Sequence, residues 1–281
     1  MLHGYNYTMK SKLKDVFFRS LNPIVPLVKT YNKRRLVIIY YHRVVSKDEI
    51  GNLLNKNMCT ETGSFESQMK FLAEQYTPVS ESEILSTLEG KKALPAHPAW
   101  VTFDDGYKDN FIHAVPVLKK YNIFATFFIT TGFINQSVCP KEETNLNYQK
   151  LFMSWDNIKN LSENGFGIGC HTVNHNLLSG PSENEISAEI RNSQKEMEGK
   201  IGKPVYSFSY PHGKPRDCAF QLSIPILKEC GFRLAVTTVG GTNCLKILND
   251  ELFKLRRFGI SHDDSLDVFK TKVATGGVWQ R

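Results

Sequence analysis

Two short clusters of carboxylate and imidazole side chains could do chemistry. Asp104 and Asp105 are adjacent, and neighbouring carboxylates repel each other unless a cation or a proton lies between them. His171 and His175 are four residues apart, a spacing that lets both rings face one metal ion when the segment is helical or tightly turned. Each cluster alone is also compatible with an ordinary polar turn, the first as the cap of a following helix and the second as two unrelated loop residues.

Together the two clusters make a set of three metal ligands with one carboxylate to spare. One aspartate and two histidines leave coordination positions open for water and substrate, which is typical of catalytic sites and not of structural ones. The second aspartate would then be a base beside the activated water. Nitrogen and carboxylate ligands favour Zn²⁺ as the divalent metal, and Co²⁺, Ni²⁺ and Fe²⁺ are compatible with the same ligands.

Both clusters directly follow predicted strands, so the elements that position them can be inferred. Short β-rich apolar runs alternate with helical patterns, which predicts an α/β fold with parallel strands and right-handed crossovers. The predicted strands are 36–41, 100–103, 124–129, 166–169, 205–209, 232–237 and 255–260. The predicted helices are 65–75, 81–89, 109–121, 155–164, 183–199, 221–230 and 264–274. We expect an irregular, TIM-like (β/α) barrel of about seven parallel strands, although periodicity does not separate a barrel from an open sheet. In a barrel, active sites lie where the carboxyl ends of the strands converge.

Composition and charge predict one catalytic domain preceded by a basic segment. The chain has 281 residues, of which 41% are hydrophobic and 22% charged, as in an ordinary globular protein. We place the segment at 1–35 and the catalytic domain at 36–281. Residues 1–36 hold eight basic residues and one acid, so they account for the whole net charge of +7. The neutral remainder disfavours nucleic-acid binding.

The N-terminal segment could make an amphipathic helix. Within 9–21, Leu13, Val16, Phe17 and Leu21 share one helical face that basic residues surround, and such a helix could lie on an anionic membrane surface. The alternative is a helix that covers the bottom of the barrel. The six cysteines show no paired spacing, and we find no export signal or membrane span, so we expect reduced thiols and a cytoplasmic location, with peripheral contact at the inner membrane face.

Three motifs occur in the order in which a known family has them. The segments TFDDG (102–106), HTVNH (171–175) and FSYPHG (208–213) resemble the first three motifs of the polysaccharide deacetylases, carbohydrate esterase family 4. The similarity runs from about residue 36 to about residue 275, and the ordered combination is highly specific. The resemblance implies an irregular barrel, which agrees with the strand pattern.

The resemblance also implies a role for each matching residue. Asp104 would be the general base, and Asp105, His171 and His175 would bind the metal. The third motif would contribute to the substrate site, with the backbone N–H of its histidine donating to the oxyanion. The substrate-site residues implied in this way are Tyr210, Pro211 and His212.

Two departures from the family pattern need a replacement. Most members of the family take the general acid from a C-terminal histidine, for which His262 is the candidate here. The segment IIYYHRV, however, resembles a permuted branch of the family in which an N-terminal YHxV segment supplies this histidine. We therefore favour His42. Ser209 stands where many members have an arginine that holds the catalytic aspartate. Arg257, at the last predicted strand, could bind Asp104 through two hydrogen bonds. We group Arg257 with the substrate site, and the alternative is a surface arginine.

The function predicted from these residues is metal-dependent removal of N-acetyl groups from an amino sugar. The N-acetylated glycan would be a polysaccharide, an oligosaccharide or a lipid-linked sugar. Two alternatives stay open: a carbohydrate-binding pseudoenzyme on the same fold, and a hydrolase of a non-sugar amide or imide. The sequence predicts no oligomeric state.

Overall fold

The computed structural model describes residues 25–50, 56–139, 150–245 and 250–278, together with residues 16, 17 and 20. The strands are β1 Val37–Tyr41, β2 Arg43–Val45, β3 Cys59–Glu61, β4 Thr77–Pro78, β5 Pro98–Phe103, β6 Thr126–Ile129, β7 Gly167–Cys170, β8 Ser207–Ser209, β9 Leu234–Val236 and β10 Phe258–Gly259. The helices are α1 Val25–Tyr31, α2 Lys47–Ile50, α3 Thr62–Gln75, α4 Glu81–Leu88, α5 Val115–Lys120, α6 Thr131–Ile134, α7 Trp155–Glu163, α8 Glu183–Ile201, α9 Phe220–Glu229 and α10 Leu266–Thr275.

The main sheet is parallel and curls into an irregular barrel. Its strand order is β10-β1-β5-β6-β7-β8-β9, with β4 paired to the start of β5. The segment 255–259 joins the two ends of this order, because Leu255 pairs with Val236 of β9 and Phe258 pairs with Ile39 of β1. The predicted α/β barrel of about seven parallel strands is therefore confirmed.

Side chains on successive strand residues point to opposite faces, and both faces of this sheet are buried. Inside the barrel, Ile38, Trp100, Phe128 and Leu234 form one apolar cluster with Ile84 of α4. The alternate strand residues pack outward against the surrounding helices in a second, larger cluster. Helix α4 therefore closes the barrel at the amino ends of the strands.

Every predicted strand has a counterpart in the structure, and the predicted helix 109–121 differs in form. A single π turn at Asn110–Ala114 precedes α5. Pro116 lies at the start of α5, and its ring would clash with the carbonyl group four residues earlier in a regular helix. The wider turn avoids this clash.

Most of the segment predicted as an amphipathic helix, 9–21, lies outside the described residues. Helix α1 packs beside α10, and the Asn32 Nδ2 donates to the Ala274 carbonyl oxygen at 3.0 Å. Lys29 of α1 lies over the Tyr76 ring, 4.9 Å from its centroid, so α1 reaches the amino end of β4, and the alternative of a helix 9–21 beneath the barrel stays a prediction. None of the helices in the described ranges combines the length and apolar character needed to cross a bilayer. Membrane contact and location stay predictions.

Candidate active site

The alternation of strand side chains carries the candidate catalytic residues into the barrel mouth. In β5, Trp100 and Thr102 face the interior, so Asp104, two residues further, continues the inward series. In β1, Ile38 faces the interior, and His42, four residues further along, continues the same inward alternation. Both residues directly follow the carboxyl ends of adjacent, parallel strands.

Unusual backbone conformations redirect the other candidate ligands. Asp105 would face outward by simple alternation, but its φ of 73° turns the chain. Thr172 and His175 also have positive φ values, 65° and 56°. Left-handed backbone costs a non-glycine residue roughly 1–2 kcal/mol, and such strain persists where the surrounding structure fixes it. At these positions it brings Asp105 and the second histidine to the same point.

Asp105, His171 and His175 meet at the base of the barrel mouth. The Asp105 Oδ1 lies 3.5 Å from the His171 Nε2 and 3.4 Å from the His175 Nε2. One ligand atom from each residue falls within 4.8 Å of the other two. The side chains of Asp105 and His171 are buried, whereas His175 is 25% exposed. The group is therefore reachable from solvent on one side.

Hydrogen bonding sets the tautomer of His171. The His171 Nδ1 lies 2.7 Å from the Ser209 carbonyl oxygen, and because a carbonyl only accepts, this nitrogen carries the hydrogen. The Nε2 lone pair then points at Asp105. Burial lowers the pKa of His171 to about 3, more strongly than the charge of Asp104 raises it. A neutral imidazole with a free Nε2 lone pair is the form that binds a metal.

The loop that carries the two histidines is held from behind. A carboxylate oxygen of Glu189 in α8 accepts from the backbone N–H groups of Val173 and Asn174, at 3.0 and 2.9 Å. The Thr172 hydroxyl accepts from the backbone N–H of His175 at 3.0 Å. These bonds fix the left-handed residues, as the supporting contacts of metal ligands commonly do.

Arg257 binds Asp104 through both of its terminal nitrogens. The Arg257 Nη1 donates to the Asp104 Oδ1 and the Nη2 to the Oδ2, each at 2.8 Å. The Nη2 also donates to the Ser209 hydroxyl at 2.8 Å, and the guanidinium lies over the ring of Tyr40, 4.8 Å from its centroid. Burial alone would raise the pKa of Asp104, but the guanidinium and nearby imidazoles hold it at about 2.

The position of Arg257 decides between two sequence hypotheses. Its side chain has no exposed surface, so the alternative of a surface arginine is wrong. It lies beneath the cavity and not in its lining, so the structure does not place it among substrate contacts, where we had grouped it. The small Ser209 leaves the space that the guanidinium of Arg257, the residue before β10, fills.

A cavity of about 740 Å³ lies above these residues. Its wall includes His42, Asp104, Asp105, His171, His175, Tyr210 and His212. Of the third motif, Pro211 is buried outside the wall, and the ring of Tyr210 packs in the core against Phe208 and Phe220. His262 is half-buried and does not line this cavity, so the structure brings His42, and not His262, to the site.

Sequence reasoning missed Tyr40 and Thr102. Tyr40 lines the cavity and stacks on Arg257, and the Thr102 hydroxyl accepts from the Arg257 Nη1 at 3.2 Å. Each lies on a strand, two residues before His42 or Asp104, so its side chain also points inward, and this alternation is the signal that would have identified both residues.

The residues present fit a divalent metal. They supply one carboxylate oxygen and two imidazole nitrogens, a donor set that suits zinc and related ions and leaves coordination positions open. The tautomer of His171 and the buried support of the loop agree with that use.

Comparison with known proteins places the chain in a family. Residues 91–235 match the family model described as polysaccharide deacetylase. The chain is 28% identical to YxkH of Bacillus subtilis (strain 168) over 76% of this chain and 68% of that protein. It is 26% identical to the poly-β-1,6-N-acetyl-D-glucosamine N-deacetylase of Staphylococcus aureus (strain MSSA476), over 72% of each chain. The fold is similar to that of the Streptococcus pyogenes deacetylase PplD, with a TM-score of 0.67 and 24% identity over 82% of this chain and 93% of that one. The predicted family is confirmed, and this chain belongs to the polysaccharide deacetylases.

Proposed function

We propose that this chain uses a divalent metal to remove N-acetyl groups from an amino sugar within a glycan. The observation that carries the proposal is the convergence of three ligand atoms within 4.8 Å, beside Asp104 in the wall of an open cavity. Its volume of about 740 Å³ lies in the usual range for small-molecule sites, roughly 300–1,000 Å³. The named activity of the Staphylococcus aureus relative supports an N-acetylglucosamine glycan as the substrate class.

Asp105, His171 and His175 would hold the metal, and we favour zinc. A metal held there would supply Lewis-acid polarisation of the acetyl carbonyl and of the attacking water. Asp104 takes the proton from the attacking water. Its carboxylate is ionised at any pH above about 2, and the two hydrogen bonds from Arg257 fix its orientation. The base is thus held in place by a residue that never reaches the substrate.

His42 would donate a proton to the departing amine. It lines the same cavity as Asp104, and its charge is close enough to contribute to the lowered pKa of that carboxyl group. An amine is a poor leaving group unless it is protonated as the C–N bond breaks, and a positioned general acid contributes roughly 10²–10⁴-fold. The backbone N–H of His212, at a turn with a φ of 58° in the cavity wall, is the candidate donor to the oxyanion. The products are acetate and a sugar with a free amine.

Acetate release by zinc-loaded protein tests the proposal. The substrates are N-acetylated oligosaccharides, lipid-linked N-acetyl sugars and free N-acetylglucosamine. Asp104→Asn should abolish turnover and retain zinc at one equivalent, whereas His171→Ala should lose both. His42→Ala should reduce turnover, with His262→Ala as its matched control. Full turnover by Asp104→Asn would remove it as the base, and no acetate release from any substrate would refute deacetylation.

A further inference from the structure

His42 lies at a break between two strands. The strand β1 ends at Tyr41 and β2 begins at Arg43, and the two belong to different sheets. The His42 peptide is therefore in neither ladder, and its orientation needs another source. The two main-chain groups that follow the His42 side chain, its own carbonyl and the Val44 N–H, are bound by one amide side chain, that of Asn110.

Asn110 makes the two bonds that a neighbouring strand would make. Its Nδ2 donates to the His42 carbonyl oxygen at 2.6 Å, and its Oδ1 accepts from the Val44 backbone N–H at 3.1 Å. The side chain is completely buried. An amide has a donor and an acceptor side by side, which matches an N–H and a carbonyl two residues apart on one strand edge.

Asp109, the residue before Asn110, makes a second attachment to the same stretch of chain. The Arg43 Nε donates to the Asp109 Oδ2 at 2.7 Å, and the side chains are only 8% and 9% exposed. The Arg43 guanidinium also lies over the Tyr107 ring, 4.9 Å from its centroid. Asp109 and Asn110 thus bind three consecutive residues, 42–44, and we call this pair the 109–110 clamp.

The clamp belongs to the chain segment that carries the catalytic carboxylates. It follows Asp105 by four and five residues, and Asn110 begins the π turn before α5. Single π turns within helices are frequent at functional sites. One short segment therefore supplies Asp104 and Asp105 and also fixes the peptide that presents His42.

We propose that Asn110 is a positioning residue for proton donation, which it controls by fixing His42 relative to Asp104, with Asp109 and Arg43 bracing the same peptide. This inference rests on the proposed role of His42 as general acid. Misplacing a reacting group by about 1 Å can cost on the order of 10²-fold in rate. Loss of the clamp therefore slows the step in which the C–N bond breaks and the nitrogen takes the proton from His42.

The test compares two acetylated substrates whose leaving groups differ in how much they depend on protonation by a general acid. Release of an amine requires protonation, whereas 4-nitrophenolate leaves without it. In Asn110→Asp the side chain can still accept from the Val44 N–H, but its second oxygen has no hydrogen to offer the His42 carbonyl. We expect kcat on an N-acetylglucosamine oligomer to fall about ten- to a hundredfold. We expect kcat/KM on 4-nitrophenyl acetate to stay within about twofold, because attack by water is unaffected.

Two further variants make the outcome decisive. Asp109→Asn weakens the bond to Arg43 and should give a smaller selective loss, which keeps the test valid if Asn110→Asp does not fold. Asn160→Asp, on the exposed face of α7, is the matched control and should leave both reactions unchanged. Zinc content and thermal unfolding are measured for every variant.

The results separate this inference from the proposed function. If His42→Ala loses amide turnover selectively but neither clamp variant does, the clamp is not a positioning device. Equal losses on amide and ester would show that Asn110 only supports the fold, and that also overturns the inference. If His42→Ala keeps full amide turnover, the proposed acid is wrong and the clamp has nothing to position.

Discussion

Replacing Arg257 by glutamine should destabilise the protein mainly by stranding a charge. The guanidinium makes two bonds of 2.8 Å to Asp104 and one of 2.8 Å to the Ser209 hydroxyl, and its side chain is fully buried. Removing one partner of a buried ion pair costs about 3–5 kcal/mol, because the remaining charge has lost its compensation. We expect Arg257→Gln to lose about that much of the free energy of unfolding at pH 7.

A double-mutant cycle checks the cause. Asp104→Asn removes the stranded charge, so the double variant should be more stable than Arg257→Gln alone, with a coupling energy of about 2–3 kcal/mol. The measurement is urea unfolding of metal-free protein, since bound metal would add its own stabilisation. The exposed neighbour Arg256 gives the control Arg256→Gln, which should stay within about 0.5 kcal/mol of the parent. Strictly additive single effects, or a loss below about 1 kcal/mol for Arg257→Gln, would refute the reasoning.

Three further changes test other parts of the structure. Burial raises the pKa of Glu81 from 4.5 to about 7, so the folded protein binds this proton more tightly than the unfolded chain and loses stability as the pH rises across that range. The free energy of unfolding of Glu81→Gln, measured in urea relative to the parent, should therefore be about 3 kcal/mol higher at pH 8 than at pH 4.5. A difference from the parent that does not change with pH would contradict this. A Cβ at Gly132 would lie 2.5 Å from the Val173 carbonyl oxygen, so Gly132→Ala should displace the histidine loop and lower the free energy of unfolding by about 1–3 kcal/mol. Titration with zinc should show weaker binding, and an unchanged affinity would show that the loop adapts. Gly199 lies inside α8 with open space around its Cβ position, so Gly199→Ala should stabilise the protein by about 0.5–1 kcal/mol. The measurement is a higher midpoint of urea unfolding, and a loss of stability would mean that the helix is strained there.

The sequence was sufficient for the main strands because each of them has a distinct apolar run. It was insufficient for β2, β3 and β4, which span two or three residues each and have no separate apolar run around them. The predicted helix after Asp105 took a different form because Pro116 disfavours a regular turn before it.

For the site, residue type and strand position pointed to Asp105, His171 and His175, which the structure brings together, and the family resemblance added His42, which lines the same cavity. Arg257 could be named from its position, but only the closed barrel shows that its guanidinium reaches Asp104, 153 residues earlier in the chain. Asn110 could not be found from the sequence, because its partners are 66 and 68 residues away. Contacts that depend on how the sheet closes leave no local pattern.

The closure of the barrel by the segment 255–259 has a consequence for synthesis on the ribosome. A growing chain contains Asp105, His171 and His175 once His175 has been made, but Arg257 and β10, which pairs with β1, are translated only afterwards. Until they are available, the carboxylate of Asp104 lacks the cation that compensates it. Long-range pairings of this kind form late because the intervening chain must first be ordered. Nascent chains that have not reached β10 should therefore be catalytically silent, and translation of β10 becomes the event that switches the enzyme on.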